Sequence, residues 1–186
     1  MNFNRDINQI SKVSTDTKNL ETKESKRFVV WKSVEIDSKT IDEIKKKLEE
    51  KGVHIDGTVS KILKTSSQEA PRTVNLVKIT PKDLGLEGHN IGYIEIQDAA
   101  SELGLTGCST RSVLEARLVY TDQSEDEILH VHGVYGIDRT GNADDAILYL
   151  SNHKGTLSVR TEDLSDYDGA PNTFISTDKF LFEIEK

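Results

Sequence analysis

Hydrophobic residues in the first half of the chain recur mainly at the spacing of amphipathic helices. Apolar positions at i, i+3 and i+7 predict a helix that Ser38 or Thr40 caps and Gly52 ends. A similar apolar face predicts a shorter helix over residues 59–63. The apolar residues of these two faces are Ile41, Ile44, Leu48, Val59, Ile62 and Leu63.

Residues 79–105 combine helix caps, turns and apolar spacing that agree on one local structure. A helical turn is predicted to begin at Thr80 and to end at Gly85. A glycine-rich link then leads to an amphipathic helix predicted over residues 93–103. We expect the small residues on its apolar face, Ala99 and Ala100, to be buried.

Alternating or continuous apolar runs predict the strands. Two runs in the first half predict strands over residues 27–36 and 74–79. Runs in the second half predict strands over residues 114–120, 128–137, 146–151, 157–160 and 180–184. Because helices and strands are segregated, we predict an α+β fold in which an N-terminal strand and helices precede a mostly antiparallel, β-rich C-terminal half.

Composition divides the chain into an arm and a domain. Residues 1–26 are mostly Ser, Thr, Lys and Glu, with too little apolar surface to offset the entropy of ordering. We therefore predict a disordered N-terminal arm, followed by a single α+β domain over residues 27–186. The polar loop at residues 65–72 offers a boundary between two smaller units of that domain.

Negative charge is concentrated in the C-terminal third. Lys and Arg number 24 and Asp and Glu number 32, which gives a net charge of −8. From Thr121 onward there are 14 acidic and 5 basic residues. This balance argues against nucleic acid and anionic membranes as partners, because both require a cationic surface. An acidic face suits a basic protein partner, or is simply a solvated surface.

Cysteine content and apolar runs bear on the compartment. Cys108 is the only cysteine, so no intramolecular disulfide can form. No stretch approaches the ~18 consecutive apolar residues of a membrane span. The first residues, MNFNRDINQ, lack the apolar core of a secretory signal. We therefore expect a cytoplasmic protein, and export by a route other than Sec stays open.

Several short motifs resemble a group of small uncharacterised bacterial proteins. These motifs are Val30-Trp31-Lys32, ITPKDLG, AASELGL, Cys108 and LEARLVYTDQ, and the similarity covers roughly residues 28–140. The usual segment after the cysteine resembles Pro-Ala-Glu-Val-Gly, whereas residues 109–113 of this chain read STRSV. The resemblance implies the extent of a domain and implies no activity.

His130 and His132 form the sharpest polar pair in the sequence. Two residues apart in a predicted strand, they project from one face and could offer two nitrogens to zinc or another transition metal. A third ligand would have to come from Asp122, Asp144, Asp145 or His153. Because neither an HExxH helix nor a cysteine cluster is present, we expect no metal and interpret the histidines as solvent-facing strand residues.

Cys108 is the second candidate, because Ser109 is predicted to cap a helical turn directly after it. The N–H groups of a helix N-terminus lower the pKa of a thiol and can create a nucleophile. His130 or His132 would then act as its base. The flanking residues match no nucleophile motif, and a lone cysteine usually packs as a small buried hydrophobe.

Two functions from different classes follow. The first is a non-enzymatic binding or adaptor protein that acts through its acidic, β-rich half. The alternative is a cysteine- or metal-dependent hydrolase that uses Cys108 with His130 and His132. They differ in whether the thiol and an imidazole meet in a cleft. Whether the protein is an enzyme stays open, and no cofactor is expected.

Overall fold

The computed structural model of the protein describes residues 28–37, 39–65, 69–137, 143–163 and 173–184. These ranges contain four α-helices and ten strands, so the predicted α+β class is confirmed. The helices are α1 (Ile41–Glu50), α2 (Gly57–Thr65), α3 (Tyr93–Glu102) and α4 (Thr110–Val119), and a 3₁₀ turn spans Pro81–Leu84. The strands are β1 (Lys32–Ile36), β2 (His54–Ile55), β3 (Arg72–Ile79), β4 (Ile91–Gly92), β5 (Leu105–Thr106), β6 (Ile128–Ile137), β7 (Ala143–His153), β8 (Thr156–Asp163), β9 (Thr173–Phe174) and β10 (Lys179–Ile184). The arm predicted at residues 1–26 lies outside the described residues, as do residues 66–68 of the predicted boundary loop.

A mixed sheet of eight strands organises the fold. Its order is β1-β3-β10-β6-β7-β8-β2, and β5 also pairs with β10. Neighbouring strands are antiparallel except for β10 with β6 and β8 with β2, which are parallel. Strands β4 and β9 form a separate antiparallel pair. The C-terminal strand β10 therefore contacts three other strands and lies in the interior of the sheet, between β3 and β6.

Each face of the sheet carries its own hydrophobic cluster, because alternate residues of a strand point to opposite sides. On β10, Leu181 joins the cluster formed with α1, α2 and α4, which we call the three-helix face. Phe180 and Phe182 join the cluster formed with α3, which we call the α3 face. The predicted burial of Ala100 in this second cluster is confirmed, and Ala99 is half-buried.

Local capping signals set the start of α1 and of the 3₁₀ turn. The Thr40 hydroxyl accepts a hydrogen bond from the N–H of Glu43, and the Glu43 carboxylate accepts one from the N–H of Thr40. Thr80 and Asp83 form the same reciprocal box at the 3₁₀ turn, which Gly85 ends with a φ of 89°. The helix and the turn predicted at these positions are confirmed.

The strand predicted over residues 114–120 is wrong, because this stretch lies in α4. The Ser109 hydroxyl caps the helix by accepting a hydrogen bond from the N–H of Ser112 at 3.1 Å. Every residue from Arg111 to Arg117 is buried, charged residues included, so the helix has no polar face that would identify it. Apolar residues at every second position imitate a strand instead: Leu114, Ala116, Leu118 and Tyr120.

Two backbone segments cross in contact at Gly107 and Gly133. Strand β6 follows β10 up to Val131 and then bends, with a register shift against β7 and a φ of +98° at Gly133. The chain leaving β5 passes over this bend, where the N–H of Cys108 donates to the carbonyl of His132 at 2.7 Å. A Cβ on Gly133 would lie 2.5 Å from the Cα of Gly107, so only glycine fits this position.

We predict that Gly133→Ala lowers the free energy of unfolding by about 3 kcal/mol or more, because backbone atoms must move apart. Gly88 provides a matched control, since its φ is +103° but an added Cβ would meet nothing within 4 Å. Gly88→Ala should cost only backbone strain, about 1–2 kcal/mol. Urea denaturation of both variants measures the difference, and equal losses would contradict the close crossing.

Candidate functional site

The three candidate residues lie beside this crossing, and the structure buries all of them. The exposed fraction is 2% for Cys108 and 6% for each of His130 and His132. The thiol belongs to the cluster of the three-helix face, whereas both imidazoles contact aromatic rings of the α3 face. The backbone brings Cys108 and His132 together, but the sheet separates the thiol from both imidazoles.

The two histidines share one face of β6, yet the expectation that they face solvent is wrong. The His130 ring stacks on Phe180 with centroids 5.0 Å apart, and the edge of Phe174 covers it at the same distance. His132 packs against Phe182, with ring centroids 4.9 Å apart. The sequence does not show this cover, because β9 and β10 contact β6 only through the tertiary fold.

A metal site would need a third ligand near the two imidazoles. Glu162 comes close, with an oxygen 2.9 Å from Nδ1 of His130, but it lies off the N–H direction. Neither atom has a hydrogen-bond partner among the residues that the structure describes. Within the described residues, no three His, Cys, Asp or Glu side chains are grouped around a common position for a metal ion. Among the proposed third ligands, the side chains of Asp144 and Asp145 lie outside the described residues, whereas Asp122 and His153 are exposed and His153 pairs with Asp126 at 3.3 Å.

His132 is held as a neutral imidazole. Burial lowers its pKa to about 4. The hydroxyl of Tyr93 lies 2.7 Å from Nδ1 of His132 and accepts a hydrogen bond from the N–H of Gly133 at 3.2 Å. A hydroxyl has one proton, which it can donate to Nδ1, so the tautomer with the ring proton on Nε2 fits this geometry. In that tautomer, Nδ1 is an acceptor inside the α3 face.

Burial also suppresses the reactivity of Cys108. Desolvation, followed by the nearby charge of Glu183, raises the pKa of the thiol well above its usual value. The thiol donates to the carbonyl of Leu181 at 3.5 Å. Although α4 starts just after Cys108, the N–H of Ser109 donates to the Glu183 carboxylate at 3.0 Å and not to the sulfur. The N–H that directly follows the thiol along the chain is thus already bound to a carboxylate.

Glu183 is a structural residue that sequence reasoning missed. It is buried in β10, where its two oxygens accept hydrogen bonds from the Arg72 guanidinium at 2.8 and 3.4 Å. The hydrogen bond to Glu183 is the main reason that the pKa of Arg72 is raised. The sequence did contain an indication of this role, because Glu183 is the one acidic residue in the otherwise apolar run FLFEI. A carboxylate buried in such a strand needs a cationic partner.

A second carboxylate, Glu127, lies at the centre of another network that the sequence does not reveal. It accepts hydrogen bonds from the Tyr120 hydroxyl at 2.7 Å and from the ammonium groups of Lys78 and Lys179, each at 3.1 Å. Burial opposes the charge, but these hydrogen bonds outweigh it and lower the pKa of Glu127 to about 2. Lys78 also lies 4.9 Å from the ring centroid of Trp31. The network joins β3, β10 and the loop before β6.

Two cavities open elsewhere on the described surface. The first, of about 320 Å³, lies between the start of α1, the end of α2 and α4, and its walls include Lys39, Ile41, Leu63, Lys64 and Arg111. The second, of about 310 Å³, lies beside β6, β7 and β8 and includes Glu127, Tyr149, His153 and Arg160. Cys108, His130 and His132 line neither cavity. A ligand bound in either cavity would therefore not contact the thiol or the buried imidazoles.

Comparison with known protein families, curated proteins and solved structures finds no match to this chain. In the part of the chain that the structure describes, no helix combines the length and the apolar character needed to cross a membrane.

Protonation of His132 should destabilise the fold. Its pKa falls from 6.5 to about 4 on folding, so the unfolded chain binds the proton first. The free energy of unfolding should therefore drop by about 2–3 kcal/mol as the pH falls from 6.5 to 4. His132→Asn keeps an acceptor for Tyr93 and should lose this dependence, whereas His89→Asn, at an exposed position, should keep it. Urea titrations of the wild type and both variants at several pH values measure how the free energy of unfolding depends on pH. The same pH dependence in all three proteins would contradict the assignment to His132.

Proposed function

We propose that the protein is a non-enzymatic binding or adaptor protein whose acidic, β-rich C-terminal half contacts a basic protein partner. One observation carries the proposal: Cys108, His130 and His132 are packed in the interior, whereas exposed carboxylates lie on the surface. A catalytic set requires side chains that converge on an accessible substrate, while a binding surface requires exposed groups of complementary charge.

The loop between α4 and β6 supplies such groups. Asp122, Glu125 and Asp126 are all exposed within five residues of chain. Asp126 lies near His153, and neither Asp122 nor Glu125 forms a salt bridge with any residue that the structure describes. Because exposed charges of one sign attract an oppositely charged partner and speed its association, this acidic loop is the centre of the proposed surface.

The strands beside the loop provide a framework for this surface. Strand β6 begins directly after the loop and pairs antiparallel with β7, which pairs antiparallel with β8. The N–H of Asp126 donates to the carbonyl of Asn152 at 2.8 Å, which fixes the loop against β7. We place this function in the cytoplasm. We exclude nucleic acid and membranes as partners, because the proposed surface is acidic.

The alternative, a cysteine- or metal-dependent hydrolase, has less support. Cys108 has a raised pKa and its sulfur lies on the opposite face of the sheet from His130 and His132. A cysteine hydrolase needs a thiolate within hydrogen-bond reach of its base. Such a site would require the central strands to separate, which the close crossing at Gly107 and Gly133 opposes.

The acidic loop is tested by neutralising its charge. One variant combines Asp122→Asn, Glu125→Gln and Asp126→Asn. A matched control removes three exposed carboxylates from helices α1 and α3, by Glu49→Gln, Glu50→Gln and Asp98→Asn. Purified wild type and both variants are immobilised, and proteins captured from an extract of cells that produce the chain are quantified by mass spectrometry at low and high salt.

We expect a basic protein that the wild type and the control capture equally and that the loop variant captures about tenfold less, as the loss of several ionic contacts implies. Capture should fall with added salt, because exposed charges are screened. Equal capture by all three proteins, or no specific capture by the wild type, would contradict the proposal.

A further inference from the structure

We propose that the cavity between α1, α2 and α4 binds a small molecule that carries a phosphate group. Three cationic side chains and one carboxylate, Asp42, line this cavity, although the chain as a whole has a net charge of −8. The three cations are Lys39, Lys64 and Arg111. A phosphate monoester carries about −1.5 to −2 charges at pH 7, and an excess of cationic groups attracts it. This site goes beyond the proposed protein partner and does not depend on it.

Arg111 is the feature that points most directly to a ligand. Its side chain is only 2% exposed, and its Nη2 donates to Oδ1 of Asp37 at 3.0 Å. Its Nε has no partner among the described residues. A guanidinium has five N–H donors, and buried donors in folded proteins are nearly always satisfied. Asp37 is the one ion-pair partner of this guanidinium among the described residues, and its Nε is enclosed, so only its remaining terminal N–H groups are left for a ligand. Phosphate oxygens are acceptors that suit a guanidinium.

The start of α1 adds backbone donors to the same cavity. The capping box uses the N–H groups of Thr40 and Glu43. Ile41 and Asp42 follow on the cavity wall, and their N–H groups have no acceptor in the described part of the chain. Free N–H groups and the positive end of the helix dipole favour an anion at this end of a helix.

Asp37 holds the cationic groups in position. Its carboxylate contacts both the Lys39 ammonium and the Arg111 guanidinium. Lys64 adds a third cation from the end of α2, and Asp42 is a second carboxylate on the wall. Three cations against two carboxylates leave one net positive charge at this wall. The apolar side chains of Ile41 and Leu63 complete the lining. This combination suits a phosphate monoester with a small apolar group better than free inorganic phosphate.

The test titrates the full-length, ¹⁵N-labelled protein with phenyl phosphate, with inorganic phosphate and with benzoate, at constant ionic strength. We expect saturable shifts of the amide signals of Ile41 and Asp42, with phenyl phosphate binding more tightly than inorganic phosphate and benzoate binding at least tenfold more weakly. Replacing Arg111 tests folding as much as binding, because the side chain is packed in the core. Lys64 is exposed and is the better position to change.

Lys64→Gln should weaken phenyl phosphate binding about tenfold, as the loss of one charge-assisted contact implies. The control is Lys46→Gln, which removes a charge on α1 whose side chain is 78% exposed and does not line the cavity. It should leave the affinity unchanged. The proposal is overturned if phenyl phosphate gives no saturable shift, if benzoate binds as tightly, or if the two lysine variants bind equally well.

Discussion

The crossing of two backbone segments at Gly107 and Gly133 is the constraint on which the centre of this fold depends. One edge of β10 pairs with β3, while its other edge is shared between β6 at its start and β5 at its end. Strands β5 and β6 can share that edge only because β6 bends away after Val131 and leaves room for the chain from β5. A side chain at either glycine would push these segments apart and break the pairing that joins the two halves of the chain.

This constraint also decides what the chemically reactive residues can do. The crossing joins Cys108 and His132 by a backbone hydrogen bond. It directs the thiol and the imidazole to opposite faces of the sheet. The surroundings then keep both groups neutral, since burial raises the pKa of the thiol and lowers that of the imidazole. The buried charge beside them, Glu183, is compensated by Arg72 and by a backbone N–H and so stabilises structure.

The parts of the fold that could be predicted from sequence are those that nearby residues determine. The capping box at Thr40 and the turn that Gly85 ends lie within a few positions of the groups they satisfy. Helix α4 could not be identified, because tertiary contacts bury its charged residues as well as its apolar ones. The partner of Glu183 is 111 residues away, so no local spacing predicts it. The cationic cavity was missed for the same reason, since its three cations come from distant segments.

The rate at which Cys108 reacts with iodoacetamide in the native protein tests the account most directly. A thiol that is packed in the interior with a raised pKa should react only through rare opening of the fold. We expect alkylation at pH 7 to be at least a hundredfold slower than that of a free cysteine derivative, and to reach that rate once urea unfolds the chain. Rapid alkylation of the folded protein at pH 7 would show an accessible, activated thiol and would contradict the assignment of Cys108 to the core.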